Sequence, residues 1–223
     1  MVSVEVTRPL PAVAVVTLAR PEKRNALSIA VRDAVSDALD AAAADEDVKV
    51  VVITGQGTHF SAGFDLKEFA DPDAEHQRRL WASSDRFHHT VLSSPLPTIA
   101  AVNGPALAGG CDLACMADIR IAVPTARFGH PEHAWSPVVY RPLRDLIGGA
   151  AAREFLLTGR DMDMEEAVRI GLVAALVEPE GLMPRALAMA EMIARAPRTA
   201  LVSLRARIQR AAGIDAGTAT LEL

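Results

Sequence analysis

Cysteine is almost missing from this 223-residue chain: Cys111 and Cys115 are the only two, with no CxxC pair and no Cys/His spacing suited to zinc. A disulfide framework is therefore ruled out, and a reducing, cytoplasmic setting is expected. At this length a core can bury roughly 70 % of the unfolded surface without a disulfide or metal. Aromatic residues are scarce at 4 %, and 23 Lys and Arg are outnumbered by 28 Asp and Glu, for a formal net charge of -5. A protein that grips nucleic acid by its phosphates needs clustered basic charge, so that class is disfavoured. No apolar run approaches 18 residues, and Glu5, Pro9 and Pro11 interrupt any signal-peptide core in the opening stretch. No membrane partner is expected. Three common chemical motifs are missing as well. GxxxxGK[ST] is absent, a GxSxG elbow around Ser61 would need glycine where His59 stands, and Gly55, Gly57 and Gly63 do not fall at GxGxxG spacing.

What is present is an alternation of strand and helix signals. AVAVVTL (12–18) and VKVVVIT (48–54) are rich in β-branched residues, and Ser28 can cap a helix running to about Ala44. A helical segment spans roughly Leu66 to Leu92, broken near Pro72; TIAAV (98–102), a short helix CDLACMA and DIRIAV (118–123) follow. That order predicts an α/β fold with parallel strands joined by helices. From about residue 142 the texture becomes mostly helical: DMDMEEAVRIGLV has Asp163 as N-cap with Glu166 three later, then comes a short strand LVAALV, and two last helices reach about Ala212.

Two strand ends share a design. SAG before Phe64, and ALA before Gly109 and Gly110, place small residues where a helix begins. Small side chains let backbone approach a ligand, and the free N–H groups of a helix start carry positive partial charge. Two such groups aimed at one point would form an oxyanion hole. Each turn alone reads equally as an ordinary strand-to-helix connection. Asp112 stands in the first turn after Gly109, and Glu132 follows 20 residues later. A helix of about 8 residues runs roughly 12 Å and a strand of five or six returns roughly 16 to 20 Å, so the second carboxylate can come back near the first. Two acids beside an oxyanion hole can divide a proton-transfer task. In isolation Asp112 is also a helix-dipole or capping aspartate, and Glu132 an exposed loop carboxylate.

Together, RPEKRNALS, FSAGFDLKEF, PTIAAVNGPALAGGCDLACMADIRIAVPTARFGHPE and LLTGRDMDMEEAVRIGLV resemble, in order and spacing, the crotonase superfamily of enoyl-CoA hydratases and isomerases across roughly residues 10 to 200. The resemblance implies a crotonase-like (ClpP/crotonase) α/β spiral of ββα units over residues 1–141. It also implies a mostly helical C-terminal part over 142–223, shorter than is usual in the family. It implies an acyl-CoA thioester as substrate with no cofactor and no metal, and a homotrimer or hexamer. The N–H groups of Phe64 and Gly109 would hold the thioester oxygen, and Asp112 and Glu132 fall where family hydratases carry two glutamates. Arg24, Ala26, Leu27, Ala62, Asp65, Leu66, Lys67 and Trp135 would join Phe64 and Gly109 in contacting the substrate and its CoA portion. Hydration of a 2-enoyl-CoA is the expected reaction, with enoyl- or dienoyl-CoA isomerisation, or silent acyl-CoA binding, as alternatives.

Three departures bear on that choice. Asp in place of Glu at 112 shortens the reach by one methylene. HAWSPVVYRPLRDLIGG replaces the glycine-rich loop usual after the glutamate, and Tyr140 stands where dienoyl-CoA isomerases carry a further acid. The chain also ends at TATLEL, short of helices that many family members have. Several residues draw attention without a motif around them. His88 and His89 read as a solvated helix face, HPEH (130–133) as a poor metal cluster, Trp81 and Trp135 as packing or pocket walls, Trp135 and Tyr140 as shaping acyl specificity, and the two cysteines as small apolar packing.

Overall fold

The structure is a computed structural model that describes residues 3–136, 138–215 and 217–223. Strands β1 (Val4–Leu10) and β2 (Val13–Leu18) form an antiparallel hairpin, after which Ser28 caps α1 (Ile29–Ala44) by accepting from the Val31 N–H. The chain enters β3 (Val50–Gly55), whose first five residues are all buried, as a strand covered on both faces must be. Pro72 separates α2 (Leu66–Phe69) from α3 (Ala74–Ser93), and aspartates cap both: Asp65 and Asp73. Next come β4 (Thr98–Val102), β5 (Ala106–Leu107), α4 (Gly109–Met116), β6 (Ile119–Ala122) and β7 (Phe128–Gly129). The remainder is α5 (Arg141–Ile147), α6 (Gly149–Thr158), α7 (Met164–Arg169), β8 (Ala175–Leu176), α8 (Pro179–Ala194) and α9 (Arg198–Ala212).

The main sheet runs β1-β2-β3-β4-β6-β8, each new strand adding to the same edge, parallel throughout except for the opening hairpin. A second, smaller layer follows the first. Leu27 bridges Phe64, Ser61 bridges Ala106, β5 pairs β7, and Phe128 bridges Met162. Each turn of chain thus lays one long strand in the main sheet and one short segment in this second layer, which is the repeating unit of the α/β spiral. Both small-residue turns lie in that second layer.

The sequence reading has no strand before residue 12, yet β1 exists. None of its residues is buried, so no apolar pattern marks it, and pairing with β2 is what orders it. Residues beyond 142 do more than append helices, since β8 extends the sheet and α8 packs across β2, β3, β4 and β6. Arg205 of α9 is buried, pairs with Asp118 at 2.8 Å and donates to carbonyls at the end of α3, including that of Ser94, tying the last helix to the core. No described helix is long and apolar enough to cross a membrane.

Candidate active site

The first turn is held by the RPEKRNALS segment. Leu27 N–H donates to the Gly63 carbonyl at 2.8 Å, the Ala62 N–H to Arg24 at 2.9 Å, and the Ser61 hydroxyl to the Asn25 carbonyl at 2.9 Å while accepting from Gly63 N–H. The second turn lies directly against it. A Cβ on Gly63 would stand 2.5 Å from the Ala108 Cβ and 3.1 Å from the Gly109 nitrogen, and Gly63 has φ +86°, so the position is closed to other residues. Leu107 N–H donates to Ser61 O at 2.9 Å, fixing the two turns side by side. Among the described residues, neither the Phe64 nor the Gly109 amide donates to any group of the chain. Beneath them Arg32 is fully buried, its guanidinium 4.2 Å from the centre of the Phe64 ring and donating to Leu27 O and Leu80 O. Burial pushes this arginine down to about 10, and its stacking fixes the ring.

The carboxylates converge through a residue that sequence reasoning missed. His130, buried in the loop before Pro131, places Nδ1 2.9 Å from Glu132 Oε1 and Nε2 3.7 Å from Asp112 Oδ1. His88 stands on the other side of Asp112, with Nε2 4.0 Å from Oδ2. His88 is buried, not on a solvated face as the sequence suggested, whereas His89 is exposed. The signal was available: Leu80, Ser84, Phe87, His88 and Val91 fall at helical spacing on one buried stripe of α3. Cys111 and Cys115 are buried with their sulfurs 4.0 Å apart, as packing residues. No group of three or more potential metal ligands occurs among the described residues.

A cavity of about 320 Å³ opens onto this arrangement. Of the residues expected from the sequence, Ala62, Phe64, Leu66, Gly109, Asp112, Glu132 and Trp135 line it, as does Trp81, read as packing or pocket wall; His88, Phe69 and Thr220 are additions. Trp81 and Trp135 both meet Phe69 edge to face, at 6.0 and 5.6 Å, so Phe69 joins the two indoles into one apolar wall. Arg24, Ala26, Leu27, Asp65 and Lys67 do not line the cavity. Leu27 is wholly buried and its amide and carbonyl are both used within the protein, so it supports the turn. Asp65 caps α2 and lies 3.8 Å from Arg20; Arg24 and Lys67 are exposed. Tyr140 precedes α5, outside the cavity lining.

Burial by itself would lower the basicity of His130, but the Asp112 charge and the hydrogen bond and charge of Glu132 override it and raise the group to about 9. The ring therefore keeps its second proton at neutral pH, hydrogen-bonded to Glu132 with Asp112 alongside. Its folded-state value lies above the unfolded value of about 6.5, so the stabilisation is complete below about pH 6.5 and disappears as pH rises through about 9. His130→Gln is expected to lower stability by on the order of 3 kcal/mol at pH 6 and by much less at pH 10. Urea unfolding of both proteins across that range checks it, and a pH-independent difference would contradict the assigned charge.

The sequence profile of the family described as enoyl-CoA hydratase/isomerase matches residues 10–223. A putative enoyl-CoA hydratase of Thermus thermophilus is 40% identical over 195 residues, covering 85% of this chain and 77% of its own. Among solved structures, an enoyl-CoA hydratase from Bacillus anthracis superposes with a TM-score of 0.89 at 32% identity, covering 96% of this chain and 84% of that one. A monofunctional enoyl CoA isomerase from M. smegmatis gives 0.82 at 31% identity, with 95% and 94% covered.

Proposed function

Because the chain belongs to the enoyl-CoA hydratase/isomerase family, we propose that its cavity binds a 2-enoyl-CoA thioester and adds water across the double bond to give the 3-hydroxyacyl-CoA. One observation carries this reading: two undonated backbone amides and two carboxyl groups face a single apolar cavity. The thioester oxygen accepts from Phe64 and Gly109 N–H, which draws electron density from the β-carbon and stabilises the enolate formed on addition. Asp112 takes one proton from water as the water oxygen bonds to the β-carbon. Glu132, whose Oε1 is held by His130 and whose Oε2 is buried without a partner among the described residues, enters the step protonated on Oε2 and delivers that proton to the α-carbon. The proton gained by Asp112 replaces the one given up by Glu132, with His130 lying between the two. The apolar wall of Phe69, Trp81 and Trp135 receives the acyl chain. Arg24 and Lys67, both exposed, would meet the charged CoA end.

A second reading is favoured by the hydrogen bond from His130 to Glu132. If that bond holds Glu132 out of proton transfer, Asp112 is left as one acid moving one proton between carbons, which is a double-bond isomerase. Mass spectrometry on a panel of 2-enoyl and 3-enoyl thioesters separates the two, since hydration adds 18 Da and isomerisation adds nothing. Mass unchanged on every 2-enoyl-CoA would reject hydration.

Assembly into trimers is part of the same proposal. It is supported by Met192, Leu204 and Ile208, exposed apolar residues that line a groove with α3, α4 and α5. Light scattering is expected to return three or six times the 23.7 kDa chain mass, and a monomer at micromolar concentration would refute it.

A further inference from the structure

His88 is 1% exposed, lines the cavity, and has no part in the mechanism above. Its Nδ1 lies 2.9 Å from the Ser84 carbonyl oxygen and 3.2 Å from the Thr220 hydroxyl. A carbonyl only accepts. The Thr220 hydroxyl donates its own hydrogen to the Asp85 carboxylate at 2.9 Å, so toward His88 it can only accept as well. Nδ1 therefore carries the ring proton, and in the neutral imidazole Nε2 is a bare lone pair. That lone pair is buried, has no partner within the chain among the described residues, and stands 4.0 Å from Asp112 Oδ2.

Two acceptors at that separation cannot bond to one another, but they can share a donor. A water about 2.8 Å from each would subtend about 90° at its oxygen, close to the angle between its own two hydrogens. Both hydrogens would then be committed, one to His88 Nε2 and one to Asp112 Oδ2. What such a water presents to the cavity is its lone pairs, the nucleophilic part.

We propose that His88 is a catalytic residue that holds, together with Asp112, the water that adds to the double bond. The proposal rests on the hydratase reading of the same cavity. As the water oxygen bonds to the β-carbon, the π pair moves toward the α-carbon and the thioester oxygen. The O–H bond facing Asp112 breaks and its proton goes to Oδ2, while the hydrogen facing His88 stays on the product hydroxyl. The side chain thus orients the nucleophile without a net change of charge. Glu132 and the paired amides, which handle the α-carbon and the thioester oxygen, lie outside this step. Water addition and α-proton exchange should therefore separate at position 88.

Two substitutions pull the imidazole's two ends apart. His88→Asn keeps a donor near Nδ1 for Ser84 and removes the acceptor at Nε2; His88→Gln loses the Ser84 contact and extends an amide oxygen to about where Nε2 stands. Each is to be measured for hydration of crotonyl-CoA and for exchange of the α-protons of butyryl-CoA in heavy water. The expected result is a fall in hydration kcat of about 10²-fold for His88→Asn with KM changed by less than about threefold, and recovery of at least about tenfold in His88→Gln. Exchange should change by less than about threefold in both. Equal loss of hydration in the two variants, or parallel loss of hydration and exchange, would show a structural role and overturn the proposal. A wild type that exchanges α-protons but adds no water would remove the hydratase reading and this inference with it. A wild type that hydrates alongside a fully active His88→Asn would remove the inference alone.

Discussion

Replacing Glu132 by Gln is expected to lower hydration by about 10³-fold or more, and to abolish exchange of α-protons in a saturated acyl-CoA. The amide keeps the size and the contact: its oxygen can still accept from His130 Nδ1, where the carboxylate now does so at 2.9 Å. What it loses is the ability to carry a proton on the buried oxygen that has no partner among the described residues. Binding of the thioester should change little, so the loss falls on kcat. Asp112→Asn should match it in hydration yet leave exchange nearly intact, because removing an α-proton needs no water. The double variant should be scarcely worse than either single one, since the two acids serve one addition. Stopped-flow hydration and heavy-water exchange on the three proteins test this. Equal loss of both reactions in Asp112→Asn would mean that the acids are not divided between water and α-carbon. Exchange intact in Glu132→Gln would move the α-carbon role elsewhere.

The parts of the fold that follow from periodicity were legible in the sequence. The helix over 29–44 follows from Ser28 and its apolar stripe, and the strand over 98–102 from the stretch TIAAV, all of it buried in the structure. The pairing of Asp112 with Glu132 was legible because an eight-residue helix and a short returning strand leave little freedom in where the second acid lands. The burial of His88 and the role of His130 were not read from the sequence, and the reason is physical. His88 has a partner 132 residues away in Thr220, and His130 acts on an acid that belongs to another turn of the spiral. Short-range spacing carries no record of such contacts. Leu27, expected to contact the substrate, is instead wholly buried and absent from the cavity lining. A leucine between an alanine and a capping serine can point either way, and only the bridge to Phe64 turns it inward.

Gly109→Ala should cost about 10² to 10³ in turnover, and Phe64→Ala placed on top of it should restore most of that loss. Gly109 is not among the glycines with positive φ, so alanine meets no backbone strain there. The obstacle is the neighbouring ring: the new Cβ would stand 2.8 and 2.9 Å from the Phe64 Cε1 and Cδ1, well inside the roughly 3.5 to 4.0 Å of ordinary carbon contact, while Leu27 Cδ1 at 3.6 Å is tolerable. The ring has little room to yield, because Arg32 lies against it at 4.2 Å and is itself fastened to Leu27 and Leu80. Strain is relieved by displacing the ring and the Phe64 backbone with it, which moves one of the two amides off the thioester oxygen. Removing the ring removes the collision. In the proposed reaction both residues contribute only their N–H to the oxygen, so the double variant should return to within about tenfold of wild type, and Phe64→Ala alone should stay active. Gly63→Ala offers the contrast. Its Cβ would meet the Ala108 Cβ at 2.5 Å and the Leu107 carbonyl at 2.9 Å, from a φ of +86°, and Phe64→Ala cannot relieve either contact. Steady-state kinetics on these variants decide the matter. A double variant as inactive as Gly109→Ala would show that the phenyl ring itself, rather than the amide beneath it, is what the chemistry requires at position 64.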